Sequence, residues 1–228
     1  MTRPRTRPTS STRRFGPLEI LYDERVLEPR EWTAAQSGWA AELLVDAPEG
    51  PVLELCAGVG HIGLLALALK TAPSPRHLVA VDLNPVACEF LRRNVRAAGL
   101  EDWVEVREGA IEEVLRPDET FAMVIADPPW VEHTRIGDFP RDPAIAIDGG
   151  PDGLVIARMC LRATARHLLP EGSAILQLGN TGQVEALEPE IEELGLGLLE
   201  VREYERGVLV RLLQSAHVRP AHVEPAHV

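Results

Sequence analysis

Cysteine is scarce in these 228 residues: there are three, Cys56, Cys88 and Cys160. They are odd in number, far apart and set in apolar patterns. That excludes a disulfide framework and any metal-ligand spacing, and predicts reduced thiols in a cytoplasmic protein. Long apolar runs are missing too. The longest, Ile62 to Leu69, falls well short of the ~20 residues that cross a bilayer, so no membrane span is expected. The N-terminus is basic, but no apolar core follows it and it does not read as a secretory signal. Beyond that arm an excess of basic charge is absent as well. Residues 1–14 hold five arginines and no acid, so with −12 overall the remaining residues carry −17. A body of that charge repels phosphate, which disfavours nucleic acid as a partner. The basic arm reads as a disordered, solubilising extension.

What is present fits one globular domain, 45% hydrophobic and 25% charged, with ample length to bury a core. The expected organisation is a disordered arm over 1–14, a single domain over 15–214 and a disordered tail over 215–228. The tail repeats Ala-His-Val-x-Pro, and its three histidines are not assigned a metal. Within the domain, a hairpin or irregular arm is expected over Phe15 to Val26, then a helix from Ala34 to Leu44. Strands are expected at Pro51–Cys56, His77–Val81, Trp103–Arg107, Phe121–Ala126 and Ala174–Leu178. A final antiparallel pair is expected at Leu196–Glu203 and Val208–Leu213. Between them lie helices at His61–Lys70, Pro85–Ala98, Leu154–Leu168 and Val184–Leu194, and a short one at 110–115. A Pro/Ser loop covers Ala72 to Arg76, and a polar loop covers Val131 to Gly150. The alternation predicts an α/β fold with a doubly wound, seven-stranded, mainly parallel sheet and an antiparallel last strand.

Two stretches carry chemistry. Asp127-Pro128-Pro129-Trp130 follows the apolar run Phe121 to Ala126. Each proline fixes φ and holds the preceding residue extended, so Asp127 and Pro128 are stiff. Neither proline has an N–H, which leaves acceptors free to face a substrate group that bears N–H. Trp130 offers a flat wall to a planar group. Read alone, these four residues fit a strand-ending turn equally well.

Upstream, Glu54-Leu55-Cys56-Ala57-Gly58-Val59-Gly60-His61-Ile62-Gly63 ends one strand and opens a helix. Glycines there allow close backbone approach to a ligand. Gly58-x-Gly60-x-x-Gly63, with Asp82 beyond the next strand, also matches a dinucleotide fingerprint, so a nicotinamide or flavin enzyme is a rival. Two features favour S-adenosylmethionine. Glu54 suits the cofactor's cationic amino-acid part, whereas a pyrophosphate gains nothing from it. An Asp-Pro-Pro-Trp turn suits methyl transfer to nitrogen and has no place in dinucleotide chemistry.

On those residues the chain resembles the class I S-adenosylmethionine-dependent methyltransferases, whose fold is Rossmann-like. It is particularly similar to the release-factor glutamine N5-methyltransferases, the HemK/PrmC family. The similarity runs from about Phe15 to Leu213. It includes the lead-in Val26 to Thr33, the glycine loop, Asp82-Leu83-Asn84-Pro85, the Asp-Pro-Pro-Trp turn and Asp148-Gly149-Gly150-Pro151-Asp152-Gly153-Leu154. The resemblance implies that Glu54, Cys56, Gly58 and Gly60 hold the methionine part of S-adenosylmethionine. Asp82, with Leu83 and Asn84, would take the ribose end. Asp127 and the Pro128 carbonyl, stiffened by Pro129 and walled by Trp130, would grip the target nitrogen beside the cofactor.

There are departures. Cys56 replaces the family's first glycine, and Ala110 sits near where an acid often holds adenine. The family's Asn-Pro-Pro-Tyr is here Asp-Pro-Pro-Trp. An Asn donates and accepts, whereas an ionised Asp only accepts. That widens the expected target from a glutamine amide to an amine, a guanidine or an exocyclic base amino group. The helical recognition domain of the bacterial enzymes has no counterpart in this sequence, so an activating or recognition subunit is an expected partner. Arg30, Trp130, Glu132 and His133 are the expected substrate contacts, with Arg135, Asp138, Arg141 and Asp142 as further lid candidates. Arg30 alternatively pairs with an acid on the surface, and neither His61 nor His133 is read as a base. The expected function is N-methylation of a protein or small molecule, with nucleic-acid base methylation disfavoured by charge.

Overall fold

A computed structural model describes residues 10–69 and 76–215. The tail from residue 216, the arm up to residue 9 and most of the expected Pro/Ser loop lie outside the described residues. The chain begins with a hairpin, β1 (Ser11–Phe15) and β2 (Leu18–Tyr22), paired antiparallel. This moves the expected boundary at residue 14. Ser11 to Arg14 are strand because Gly16, at φ 60°, turns the chain back and Phe15 and Ile20 are buried. Asn94 ties the hairpin down, accepting from the Leu21 N–H at 2.8 Å and donating to the Leu21 carbonyl at 3.1 Å.

The body follows in order. It comprises α1 (Ala34–Leu43), β3 (Val52–Leu55), α2 (His61–Leu69), β4 (Leu78–Asp82), α3 (Pro85–Ala97), β5 (Val104–Glu108), α4 (Ile111–Val114) and β6 (Phe121–Ala126). Then come α5 (Ala144–Ile147), α6 (Val155–His167), β7 (Leu168–Leu178), α7 (Thr181–Glu193), β8 (Leu196–Tyr204) and β9 (Gly207–Gln214). The seven strands β3 to β9 lie in the order β5-β4-β3-β6-β7-β9-β8. Only β9 runs against its neighbours.

Strand order reverses between β3 and β6, which pair in parallel from Val52↔Met123 to Leu55↔Ala126. A ligand crevice opens beyond the carboxyl ends of strands at such a switch point, and both singled-out turns begin there. β3 and β6 are buried throughout, consistent with a parallel sheet covered on both faces. One face packs against α1, α2, α3 and the hairpin through Trp39, Leu64, Phe90 and Leu91. The other packs against α6 and α7 through Leu161, Leu187 and Ile191. Among the described residues, no helix is long and apolar enough to cross a membrane.

Three local readings change. β7 starts at Leu168, six residues early, because the chain re-pairs with β6 across a register irregularity. α7 starts at Thr181 because Asn180 caps it, accepting from the Gln183 N–H at 3.0 Å. The polar loop is built rather than irregular. It holds a 3-10 turn at His133–Asp138, then α5, and a bridge between Val131 and Asp148.

Candidate active site

Two cavities open at the carboxyl ends of β3 and β6. The inner one, about 370 Å³, lies between the β3–α2 turn, the end of β4, the start of α4 and α6. The outer one, about 640 Å³, lies between the Asp127–Trp130 turn, the lead-in to α1, the lid residues Asp138–Asp142 and the β8–β9 turn. Leu27, His61, Asp127, Pro129 and Ala146 line both.

The inner wall is shaped by backbone. Gly58 takes φ 55° and Gly60 φ 81°. A Cβ on Gly60 would stand 1.9 Å from Leu91 Cδ1, whereas one on Gly58 would meet nothing within 4 Å. Gly60 is therefore needed for packing, and Gly58 faces open space. Asp82 braces the turn, accepting the Gly58 N–H at 2.7 Å and the Asn84 N–H at 2.8 Å. Burial raises its pKa against the pull of those two N–H groups. Each carboxylate oxygen keeps a lone pair for a hydroxyl. Asn84 caps α3, and Leu83, 63% exposed, forms the rim beside it. Cys56 lines the cavity with φ 56°, in the left-handed region that glycine normally fills, and its Sγ lies 4.0 Å from Cys160 Sγ. Both remain free thiols.

Glu54 lies behind the β3–α2 turn. It lines neither cavity and is 2% exposed. Its Oε1 accepts the Gly63 N–H at 2.9 Å, behind the turn at the start of α2. A Cβ on Gly63 would meet its carboxyl at 2.3 Å, so the third glycine makes room for this acid. Burial pushes the Glu54 pKa up to about 8. Glu54 therefore holds the turn in place through Oε1, while its Oε2 is buried without a partner.

At the junction of the cavities stands Asp127. Burial alone pushes its pKa up to about 7, with no hydrogen bond or cation offsetting it. Half-buried and with no donor from the chain, the carboxyl is open to a ligand that brings one. The backbone beneath it is locked, because Gln36, fully buried, donates to the Ala126 carbonyl at 3.0 Å and the Ile175 carbonyl at 3.3 Å. Pro128 is buried and Pro129 lines both cavities. The Trp130 ring lies over Gly179, where a Cβ would come within 2.6 Å of Cε3. The Trp130 carbonyl accepts from Gln183 Nε2 at 3.0 Å, and Gln183 Oε1 accepts the Gly179 N–H at 2.8 Å. His61 is held neutral: burial lowers its pKa to about 4, and its Nε2 lies 3.2 Å from Thr33 Oγ1.

The substrate expectations divide. Arg30 and Trp130 line the outer cavity, and the Arg30 guanidinium pairs with Asp142 across the lid. Glu132 and His133 line neither cavity. Both are exposed on the 3-10 segment, with His133 Nδ1 2.8 Å from Asp148 Oδ2. Other residues came into view only with the fold. Ile145, Ala146, Ile156 and Met159 give the inner cavity apolar walls, while Gln177, Glu205 and Arg206 bound the outer one. Apolar side chains in helices and a hairpin turn carry no local sign of such a role.

The family model described as the TRM5/TYW2 methyltransferase domain matches residues 40–138. The ribosomal protein uL3 glutamine methyltransferase of Bradyrhizobium diazoefficiens is 33% identical over 193 residues, covering 78% of this chain and 59% of that protein. The release factor glutamine methyltransferase of Deinococcus radiodurans is 31% identical over 168 residues, covering 72% of this chain and 58% of that protein. The chain thus spans about three fifths of the length of these relatives. Among solved structures, M. jannaschii TYW2 in complex with AdoMet superposes with a TM-score of 0.58 at 17% identity, covering 91% of this chain and 85% of that one. At that identity the likeness is one of fold.

Proposed function

Because this chain belongs to the class I S-adenosylmethionine-dependent methyltransferases, we propose that it methylates a side-chain nitrogen of a protein, with a glutamine amide the first candidate. The observation that carries this reading is the Asp127 carboxyl, half-buried, without a donor and lying on both cavities. The residues of the inner cavity fit the cofactor. Gly58 leaves space where a ligand would approach, Asp82 keeps acceptors for a ribose, and Leu83, Ala110 and Met159 offer apolar surface to a base. When bound, S-adenosylmethionine supplies an electrophilic methyl group. The chain's own tasks are then alignment and electrostatics.

The outer cavity would admit the acceptor. Asp127 would take its N–H, the Pro128 carbonyl would add a second acceptor, and Trp130 and Pro129 would confine the planar group. The named substrates of the relatives, a ribosomal protein and a release factor, support a protein over a metabolite. Purified uL3 and release factor, each incubated with methyl-labelled S-adenosylmethionine, should show label on one glutamine. Asp127→Ala should abolish the transfer and leave S-adenosylhomocysteine binding within about threefold. No label on either protein, with label in the small-molecule fraction of a cell extract given the same cofactor, would overturn the protein reading, and full turnover by Asp127→Ala would overturn the site.

A further inference from the structure

Asp127 stands where the two cavities meet, and a carboxylate there can take a proton, which an amide cannot. We propose that Asp127 serves as the proton acceptor of the transfer, a catalytic role its carboxyl can fill and an Asn cannot. The proposal rests on the reading of the two cavities as cofactor and acceptor sites. Methylation of an amide nitrogen leaves one proton too many. The nitrogen bonds to the methyl carbon as the carbon–sulfur bond breaks, the electron pair going to sulfur. The surplus N–H proton then passes to an Asp127 oxygen and on to water in the outer cavity.

The surroundings leave Asp127 as the group fit for this. Among the described residues, His61 and Asp127 are the titratable ones that line both cavities. His61 Nδ1 is fully buried without a partner, and its ring is too weak a base, with its pKa near 4. On the β3 side, Glu54 lines neither cavity, with Oε1 engaged by the Gly63 N–H and Oε2 buried without a partner, and the Cys56 thiol is held protonated by Cys160 and burial. Asp82, across the inner cavity, already accepts two N–H groups. On the lid, Asp148 is engaged by His133 and the Gly150 N–H, and the Asp142–Arg30 pair is internally neutral. No cation holds Asp127 ionised. Burial pushes its pKa to about 7, near the value at which a general base works best at neutral pH.

The test is the pH dependence of kcat with the labelled acceptor assay, for the unmodified enzyme and for Glu54→Gln, Asp127→Asn and Asp127→Ala. A base must be ionised, so kcat should rise about tenfold per unit up to an apparent pKa near 7 and then level. That limb should persist in Glu54→Gln. Asp127→Asn, which keeps the shape of the side chain and removes its titration, should lose the limb and about 100-fold or more in kcat while still binding S-adenosylhomocysteine by calorimetry. A rate that instead falls above pH 7, or a flat profile, overturns the proposal. So does an Asp127→Asn enzyme as fast as the original, since Asp127 would then act as a neutral stand-in for Asn. If Asp127→Ala is fully active too, the reading of the cavities fails, and not the proton step alone. The profile of the unmodified enzyme needs no variant to fold.

Discussion

Single residues in the β3–α2 turn separate strain from ligand access. Cys56 holds φ 56° with a side chain, a conformation that costs on the order of 1 kcal/mol relative to glycine. Cys56→Gly should therefore melt no lower than the parent protein, and Cys56→Val, β-branched at the same φ, should melt clearly lower. A marked loss for the glycine variant would show that the contact with Cys160 outweighs the strain. Gly58 and Gly60 look interchangeable in the sequence, yet space distinguishes them. Gly60→Ala drives a methyl into Leu91 and should not fold stably. Gly58→Ala should fold, at a cost of about 1 kcal/mol for its φ, and bind S-adenosylhomocysteine at least tenfold more weakly. Calorimetry and thermal unfolding on the pair would show the contrast or its absence.

At the scale of elements, the join of β3 to α2 depends on a carboxyl that burial keeps largely protonated. Folding raises the Glu54 pKa to about 8, so the folded chain holds a proton that the unfolded chain releases at much lower pH. Its contribution to stability is complete below the unfolded pKa and is lost as pH rises through 8. Glu54→Gln keeps an acceptor for Gly63 and removes the titration. Its thermal midpoint should hold up between pH 6 and 9 better than that of the parent, and parallel curves would refute this account. The lid is a different kind of link. Arg30 and Asp142 are both partly exposed, so their pair contributes under about 1 kcal/mol to stability. Arg30→Ala should leave the melting temperature nearly unchanged and raise KM for the protein acceptor, because it frees the lid that bounds the outer cavity.

For the molecule as a whole, charge disfavours nucleic acid as a partner. Residues 15–228 carry −17, and phosphate contacts supply most nucleic-acid affinity. Filter binding of tRNA at about 0.1 M salt should detect no retention; a micromolar, salt-dependent affinity would show that the basic arm overrides the body. Much of the architecture was legible in the chain because it is local or periodic. The apolar runs at Val52–Leu55 and Phe121–Ala126, the Asn84-Pro85 cap and the glycine turn each state their conformation within a few residues. The alternation of strands and helices then leaves few topologies open, so the doubly wound, mainly parallel sheet and the two turns at the carboxyl ends of its strands followed from sequence alone, whereas the strand order β5-β4-β3-β6-β7-β9-β8 came from the structure.

Tertiary structure decided what depends on which side chains meet. It turned Glu54 away from the cavity and onto Gly63, placed His133 on Asp148 outside the cleft, and drew Met159, Ile145, Gln177 and Arg206 to cavity walls from distant segments. It also left Asp127 without a partner. Sequence spacing specifies the turn that carries a carboxyl, but its burial and its donors are set by segments far along the chain that pack around it.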